Sequence, residues 1–309
     1  MNDVLQAIVI GIPQGALYGL MGFGIAMIFR ATHTINFSHG FSAMFGVLIS
    51  LSVYNVLMPL LGGSALLSLL LAVIVGLAAS ALLGVLTDSV LMRKIKNISP
   101  GSMLMVTLGM MMVYEALAHM IWHPDFWPFP SFVSAPPIIL GSQEYVEGAF
   151  RLIISVNDIA VVLIALVFGF GVAVFMKYTS MGLAIRARGQ DRVGAQVVGI
   201  NTDMVDRIVW GVALALATLV GVLVAPETTV HTHMLMNPQL YGITAAVIGG
   251  FSSMFGALWG GLIIGITERL VGIFPVMEGY ETAVIFFLVI LMLVFKPEGL
   301  FGTRKGRKA

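Results

Sequence analysis

Long uncharged apolar runs alternate with short polar interruptions along the whole chain. The first run, Val4 to Phe29, is longer than the roughly 20 apolar residues that a helix needs to cross a bilayer. Further runs occupy these approximate ranges: a second ending at Leu61, a third ending at Thr87, Ser102 to Trp122, Ile159 to Met176, Ile208 to Ala225 and Ala283 to Phe295. The pattern predicts an all-α, polytopic helical membrane protein with about eight spanning helices.

One further apolar tract, Tyr241 to Gly272, is interrupted in its middle. Its first part, Ile243 to Ile248, is too short to cross a bilayer, and the pair Gly249-Gly250 then breaks the helical pattern. The tract is therefore a hairpin or a re-entrant broken helix, with a simple short loop between two helices as the alternative. Irregular backbone within a membrane is tolerated only inside protein or beside water, so the two glycines are candidates for a translocation pathway.

Glycines recur four residues apart in the first run and in the interrupted tract. The pairs are Gly15 and Gly19, Gly256 and Gly260, and Gly261 and Gly265. Because this spacing lets helix backbones approach closely within a membrane, we expect these pairs to form packing surfaces.

Basic residues collect in a few segments and predict an orientation. All of the 16 Lys and Arg residues except Arg151 and Arg269 lie in segments that can share one side of the membrane. These segments contain Arg30; Arg93, Lys94 and Lys96; Lys177, Arg186, Arg188, Arg192 and Arg207; and Lys296, Arg304, Lys305, Arg307 and Lys308. Since cytoplasmic loops carry the excess of Lys and Arg, the N-terminus is expected outside and the C-terminus in the cytoplasm. The extended loop 123–157 is then external, and residues 1–309 form one transmembrane domain.

The composition excludes several other classes of protein. Hydrophobic residues make up 59% of the chain and charged residues 10%, whereas a soluble domain has about 25% charged residues. The apolar runs are far longer than the strands of a transmembrane barrel. The formal net charge of +1 gives no indication of a nucleic-acid partner, and the lack of cysteine excludes disulfides and Cys-ligated metals.

The longest polar interval that still shows helical spacing runs from Lys177 to Asp206. Its apolar positions include Leu183, Ala187, Ala195 and Val198, and its polar positions include Arg186, Arg188, Asp191 and Arg192. Gly182 and Gly199 bracket it as a helix entrance and a C-terminal stop. The interval 177–206 predicts a short cytoplasmic helix that docks into a groove of a soluble partner. The alternative is an ordinary basic loop of a multi-pass membrane protein.

Motifs for nucleotide or metal chemistry are missing from the sequence. It contains neither the phosphate-binding motif G-x-x-x-x-G-K-[ST] nor the zinc motif H-E-x-x-H. His231, His233 and Met236 are residue types that bind copper or zinc, but their spacing matches no standard site. We therefore expect no metal site, no catalytic residue and no cofactor bound by this chain.

Glu115 is notable because it interrupts an apolar run. An acid within a bilayer is costly unless it is paired, so it marks a functional hypothesis. A structural pair with a cation on another helix, such as Arg269, is one explanation, and a proton site is the other. Asp88 is expected to pair with Arg93 or to lie at the interface. Glu268 needs a partner other than the adjacent Arg269.

Four motifs span nearly the whole chain. They are GALYGLMGFGIAMIFRATHTINFSHG (Gly15–Gly40), MGLAIRARGQDRVGAQVVGIN (Met181–Asn201), AAVIGGFSSMFGALWGGLIIG (Ala245–Gly265) and FKPEGLFG (Phe295–Gly302). In content and order they resemble the permease subunits of branched-chain amino acid type ABC importers, specifically the smaller, H-type permease. INFSHG stands where INFAHG is usual in that family, and the FSSMFG turn and HTHMLM loop also depart from its pattern. These departures leave the substrate open.

The resemblance implies a division of labour within an ATP-driven importer of a bacterial-type inner membrane. An external binding protein would deliver branched-chain or other small amino acids, amides or urea. A second related permease would complete the pathway across the lipid bilayer, and two cytoplasmic ATPases would use the ATP. This chain would be a transport subunit and not an enzyme.

The resemblance also implies roles for individual residues. The coupling element that contacts an ATPase would comprise Gly182, Arg186, Ala187, Ala195, Gly199 and Ile200, to which the polar pattern adds Arg188 and Asp191. Asn36, Ser38 and His39 would lie near the inner mouth of the pathway, and Glu115, Gly249 and Gly250 complete the candidate pathway residues.

Two other functions remain open at this point. A stand-alone proton-coupled secondary transporter would use Glu115 as its proton site, but the few intramembrane charges and the docking-like interval argue against it. A membrane scaffold without transport would leave the interrupted tract unexplained.

Overall fold

The computed structural model describes residues 2–32, 34–95, 99–123, 126–133, 135–142 and 150–302. Its α-helices are α1 Asn2–Thr32, α2 His39–Leu60, α3 Ala65–Thr87, α4 Pro100–Trp122, α5 Val156–Tyr178, α6 Ser180–Gln190, α7 Arg192–Val197, α8 Thr202–Thr228, α9 Met236–Gly249, α10 Met254–Val271 and α11 Glu281–Phe295. A π-helical turn, Asp88–Met92, continues α3, and a 3₁₀ turn, Pro275–Met277, precedes α11. The helical membrane fold predicted from the apolar runs is confirmed. Lys96, Arg304, Lys305, Arg307 and Lys308, which contributed to the predicted orientation, lie outside the described residues.

Among the described residues, seven helices are long and apolar enough to cross a membrane. They are α1, α2, α3 with its π-helical turn, α4, α5, α8 and α10. Helix α11 is apolar but has only 15 residues. Together these helices agree with the predicted number of about eight.

Contacts divide the chain into two compact units. The first contains the described residues of Met1–Phe23, Ser131–Val167 and Leu240–Ala309, and the second those of Gly24–Pro130 and Phe168–Gln239. The expectation of a single membrane domain stays a prediction.

Helices α2, α3 and α8 form the core of the second unit, with α8 the most deeply buried long helix. The Oγ1 atom of Thr218 in α8 lies 2.9 Å from the carbonyl oxygen of Ala43 and 2.6 Å from Ser80 Oγ, and Ser80 donates to the carbonyl oxygen of Leu214. All three helices are therefore joined by buried hydrogen bonds whose polar groups are satisfied within the protein.

In the first unit, α1 and α10 pack antiparallel through the predicted glycine pairs. A methyl group added at Gly15 would lie 2.7 Å from the Cα atom of Leu262, and one added at Gly19 would lie 2.8 Å from the carbonyl oxygen of Leu258. Methyl groups at Gly261 and Gly265 would in turn collide with the backbone of α1. Only glycine permits this separation, so the predicted packing role is confirmed.

The interrupted tract is a hairpin. Added methyl groups at Gly256 and Gly260 would collide with the backbone of Gly249 and Ala245, so α9 and α10 run antiparallel in close contact. Gly250 turns the chain with a φ of +92°, a left-handed value that glycine adopts without strain. The predicted break at Gly249-Gly250 is therefore observed, with the hairpin as its form.

The FKPEGLFG segment terminates this hairpin. The backbone N–H groups of Leu300 and Phe301 donate to the carbonyl oxygens of Ile248 and Gly249, at 2.8 and 3.1 Å. The last carbonyl groups of a helix have no partners within the helix. The terminal motif thus provides hydrogen-bond donors for the end of α9. Two motifs that are distant in the sequence are therefore in direct contact in the fold.

A β-hairpin lies in the loop 123–157, where the sequence predicted no strand. Strands β1 Ile138–Gly141 and β2 Arg151–Ile154 pair antiparallel, with Ile139 opposite Ile153. The side chain of Gln6 accepts from the backbone N–H of Ile153 and donates to its carbonyl oxygen, both at 2.8 Å. Four-residue strands are too short to show an alternating pattern, which is why they were not predicted.

The intramembrane charges find polar partners. Asp88 pairs with Arg93 at 3.2 Å, as predicted. Glu268 accepts from the hydroxyl of Tyr18 at 2.9 Å, and Arg269 donates to Gln14 Oε1 at 2.8 Å. Each member of the adjacent Glu268-Arg269 pair thus has a separate partner, as the helix geometry required.

Candidate functional site

The predicted coupling segment folds as two short helices, α6 and α7, with defined ends. Thr179 Oγ1 accepts from the Gly182 N–H at 2.9 Å to cap α6, and Asp191 Oδ1 accepts from the Val193 N–H at 2.9 Å to cap α7. Gly199 ends α7 with a φ of +84°. Its N–H and that of Ile200 bond back to α7, which is the hydrogen-bond pattern of a Schellman motif. The predicted helix stop at Gly199 is observed.

A buried ion pair fastens α6 to α8. Arg188 Nε and Nη2 donate to the two carboxylate oxygens of Asp206 at 2.9 and 3.2 Å. The side chains are only 7% and 3% exposed. Arg188, predicted as a coupling residue, therefore faces the protein interior rather than a partner.

A second set of contacts fastens α7 to the start of α8. Arg192 and Arg93 lie 3.6 and 3.8 Å from the carboxylate of Asp203, and Arg93 also donates to the Asp203 carbonyl oxygen at 2.6 Å. Gln196 Nε2 donates to Thr202 Oγ1 at 3.0 Å. The segment α6–α7 is thus held to the first turns of the most buried helix.

Four large apolar side chains of α6–α7 and its end are exposed. Leu183 is 60% exposed, and Val193, Val197 and Val198 are 68%, 81% and 73% exposed. We call these four residues the apolar α6–α7 surface. Of the other predicted coupling residues, Gly182 and Ala195 are buried, Arg186, Ala187 and Ile200 are half-buried, and Asp191 is exposed. The sequence pattern had named Leu183 and Val198 as apolar positions but not Val193 and Val197, and none of the four was predicted as a coupling residue.

The predicted pathway residues Asn36, Ser38 and His39 form one buried turn before α2. Asn36 Oδ1 accepts from the backbone N–H and the hydroxyl of Ser38, at 3.1 and 2.7 Å. His39 lies beside Gly24 of α1. Asn36 Nδ2 and both ring nitrogens of His39 have no hydrogen-bond partner among the described residues. Such buried unsatisfied groups are rare and call for a specific explanation, such as an ordered water or a ligand.

Gln239, in the first turn of α9, clamps this turn. Its Nε2 donates to the carbonyl oxygen of Phe37 at 2.6 Å, and its Oε1 accepts from the backbone N–H of Gly40. The Gly40 N–H belongs to the first turn of α2, where backbone donors lack helical partners. No local sequence pattern indicates this role, because the residues that Gln239 contacts lie about 200 positions away along the chain.

Gln239→Ala is expected to destabilise the folded protein by about 1–3 kcal/mol, since it leaves a buried N–H group and a partly buried carbonyl group unsatisfied. Thermal unfolding in detergent, measured against the wild type, tests this. Gln190→Ala is the control, because Gln190 is exposed. Equal unfolding temperatures for the two variants would show that the clamp contributes no stability.

Glu115 faces histidines rather than Arg269. Its Oε1 lies 3.3 Å from His233 Nε2, and the ligand atoms of Glu115, His119 and His233 all lie within 4.8 Å of one another. Arg269 bonds to Gln14 instead. The segment between α8 and α9 brings His233 to α4, and this histidine is the partner of Glu115 within the second unit.

Within the second unit, the predicted pathway residues lie close together. The ring of Phe41, two residues beyond His39, contacts the His233 ring edge-on with centroids 5.9 Å apart, so the buried turn and the Glu115 cluster adjoin. Gly249 and Gly250 belong to the other unit, where they form the α9–α10 turn.

Comparison with known proteins identifies the family. The family described as "Branched-chain amino acid transport system / permease component" matches residues 7–294. The chain belongs to this family. It is an ABC permease and a multi-pass membrane protein, as its apolar helices and its family together indicate.

The matches to relatives cover most of this chain and most of each relative. The chain is 28% identical to the high-affinity branched-chain amino acid transport system permease protein LivH of Salmonella typhimurium, over 96% of this chain and 95% of that protein. It is 27% identical to the corresponding permease protein BraD of Pseudomonas aeruginosa, with the same two coverages. It is 24% identical to the xylose/arabinose import permease protein XylH of Sulfolobus acidocaldarius, over 80% of this chain and 65% of that protein. No solved structure matches the chain.

Proposed function

We propose that this permease is the membrane-spanning subunit of an ATP-driven importer for branched-chain or other small amino acids, amides or urea. An external binding protein delivers the substrate, and a second related permease completes the pathway. Two cytoplasmic ATPases use the ATP, and this chain binds no cofactor. The names of the relatives support the amino acid substrate class, although one relative is named for pentose import.

The observation that carries the proposal is the apolar α6–α7 surface. Valines that are more than two-thirds exposed outside a membrane-spanning helix are expected to be covered by a partner. A pair of short helices with an apolar outer side fits helix-in-groove docking on a soluble protein. We therefore expect the partner surface to be an apolar groove on an ATPase subunit.

The contacts of α6–α7 with α8 support a mechanical role. Arg188, Arg192 and Gln196 attach the two helices to Asp206, Asp203 and Thr202 of α8. A displacement of the docked helices is therefore transmitted to the core of the α2–α3–α8 bundle as a rigid-body movement. ATP-driven closure of two ATPases would in this way alter access to the pathway.

The pathway residues we propose are Asn36, Ser38, His39 and Glu115, together with Gly249 and Gly250, which the sequence pattern favours. Unsatisfied donors on Asn36 and His39 support contact with water or substrate during transport. The family supports a location in a bacterial-type inner membrane, and the distribution of Lys and Arg supports an orientation with the N-terminus outside and the C-terminus in the cytoplasm.

Val193→Asp combined with Val197→Asp is expected to abolish co-purification of ATPase subunits from native membranes under gentle extraction. Two charged side chains in an apolar groove lose hydrophobic contact and incur a desolvation penalty. The retained subunits are identified by mass spectrometry, and binding-protein-dependent uptake is measured in the same strain. We expect both to be lost at unchanged amounts of folded permease.

Gln190→Glu is the matched control, because it adds a negative charge at an exposed position of α6 outside the apolar surface. ATPases retained by the double aspartate variant would overturn the docking role of the valines. Failure to recover any ATPase with the wild type, together with uptake that collapses when the proton gradient is removed, would favour the secondary transporter that uses Glu115.

A further inference from the structure

The cluster of Glu115, His119 and His233 has no role in the docking surface and joins two parts of the second unit. Glu115 and His119 lie one turn apart on α4, so their side chains leave the same face of the helix. His233 comes from the segment between α8 and α9 and completes the cluster. Two imidazoles and one carboxylate form a ligand set that binds first-row divalent transition metals.

The distances fit such an ion. A tetrahedral ion with bonds of about 2.0–2.2 Å keeps its ligand atoms roughly 3.3–3.6 Å apart. The separation of 3.3 Å between His233 Nε2 and Glu115 Oε1 already matches this value. The widest separation in the cluster is at most 4.8 Å. It can close by side-chain rotation, because the His233 side chain is 47% exposed and that of Glu115 is 30% exposed.

Neighbouring groups orient the ligands. Thr232 Oγ1 lies 3.2 Å from His119 Nε2, and the Phe41 ring packs against the His233 ring. Such outer contacts fix the direction of metal-binding imidazoles. Thr232 is itself buried, so the segment that carries His233 has a defined position beside α4.

We propose that Glu115, His119 and His233 form a binding site for one divalent transition-metal ion of the zinc class, with a coordination position open to water. The sequence argued against a metal because the spacing of His231, His233 and Met236 matches no standard site. The fold instead supplies the remaining ligands from α4. The site does not depend on the importer function.

Metal binding would restrain the start of α9. His233 lies six residues before Gln239, whose side chain clamps the buried turn at Phe37 and Gly40. An ion would link the same segment to α4 and hold it from a second side. A bound ion would therefore be linked, through the segment from His233 to Gln239, to the residues around the proposed pathway.

The test uses the full-length chain, purified in detergent with the subunits it retains and without a histidine tag. After treatment with EDTA and dialysis, Zn²⁺ is titrated by calorimetry, and Co²⁺ absorption reports the coordination geometry. We expect one Zn²⁺ per chain, a tetrahedral Co²⁺ spectrum, and a rise of the unfolding temperature with Zn²⁺. His233→Ala and Glu115→Gln are each expected to weaken binding at least tenfold.

His231→Ala is the matched control. It removes a histidine two residues away whose ring lies against Phe126, outside the cluster. It should leave the affinity, the Co²⁺ spectrum and the thermal shift unchanged. Equal Zn²⁺ affinity in the wild type, His231→Ala and His233→Ala would overturn the site, as would no binding by the wild type. If Glu115→Gln does not fold, the His233→Ala variant still tests the site, because the His233 side chain is 47% exposed.

Discussion

Arg188→Ala is expected to lower the free energy of unfolding by about 3–5 kcal/mol, because it leaves the buried Asp206 carboxylate without its counter-charge. The pair is bidentate, with distances of 2.9 and 3.2 Å, and both side chains are almost fully buried. Loss of one partner removes two charge-assisted hydrogen bonds while the desolvation penalty of the other remains. Thermal unfolding in detergent, followed by the size-exclusion profile after heating, measures the effect.

Arg186→Ala provides the control for lost charge and lost side-chain volume on the same helix. Arg186 is only half-buried, and its hydrogen bond to the Lys177 carbonyl oxygen is long, at 3.4 Å. We expect a change within about 0.5 kcal/mol, as for ordinary surface substitutions. A double variant, Arg188→Met with Asp206→Leu, should recover most of the stability lost by Arg188→Ala, because no unpaired buried charge remains.

Equal unfolding temperatures for Arg188→Ala and Arg186→Ala would contradict the assigned role of the ion pair. The expected difference also has a consequence for experiments on ATPase docking. A variant at Arg188 loses partners through unfolding, whereas the exposed Val193 and Val197 report on docking itself. The arginines of the coupling segment thus have different roles although they belong to one polar pattern.

The sequence predicted those features of the fold that depend on local patterns. Long apolar runs define the spanning helices, because a helix needs a minimum apolar length in a bilayer. The break at Gly249-Gly250 and the stop at Gly199 were predicted because glycine adopts left-handed backbone without strain, and both Gly250 and Gly199 have positive φ. The glycine pairs of α1 and α10 were predicted from spacing alone.

Features that depend on contacts between distant segments could not be predicted in the same way. Arg186 and Arg188 are two residues apart and chemically identical, and only the position of Asp206 on α8 distinguishes them. Glu115 could be recognised as a costly acid, but its histidine partner comes from another segment of the chain. The apolar positions Leu183 and Val198 were recognised in the sequence, but spacing alone did not distinguish them from Ala195, which is buried. The exposure of a side chain depends on the folded structure, whereas the spacing of residues can be read from the sequence.

Gly261→Leu is expected to destabilise the first unit by about 3 kcal/mol or more, at or beyond the upper end of the usual cost of overpacking. Even a methyl group at this position would collide with the backbone of Gly19 and Gly15 in α1. A flexible side chain can rotate away from an added group, but helix backbone cannot. The two helices must therefore separate, which removes the close packing along their whole contact.

Separation of α1 from α10 would also break polar contacts. The Tyr18 hydroxyl bonds to Glu268 at 2.9 Å, and Gln14 accepts from Arg269 at 2.8 Å. Both bonds connect α1 with α10. Gly261→Leu is therefore expected to leave an intramembrane acid and an intramembrane base without their partners. The expected observation is a strongly reduced amount of monodisperse protein and a lower unfolding temperature.

Gly109→Leu in α4 is the matched control. Apart from the backbone of α4 itself and the two chain neighbours, the described part of the chain has no atom within 4 Å of a methyl group added at Gly109, and leucine has a higher helix propensity than glycine. This variant should unfold at or slightly above the wild-type temperature. Equal behaviour of the two leucine variants would mean that α1 and α10 do not depend on backbone contact. A large loss confined to Gly261→Leu would show that the glycine spacing read from the sequence sets the distance between these helices.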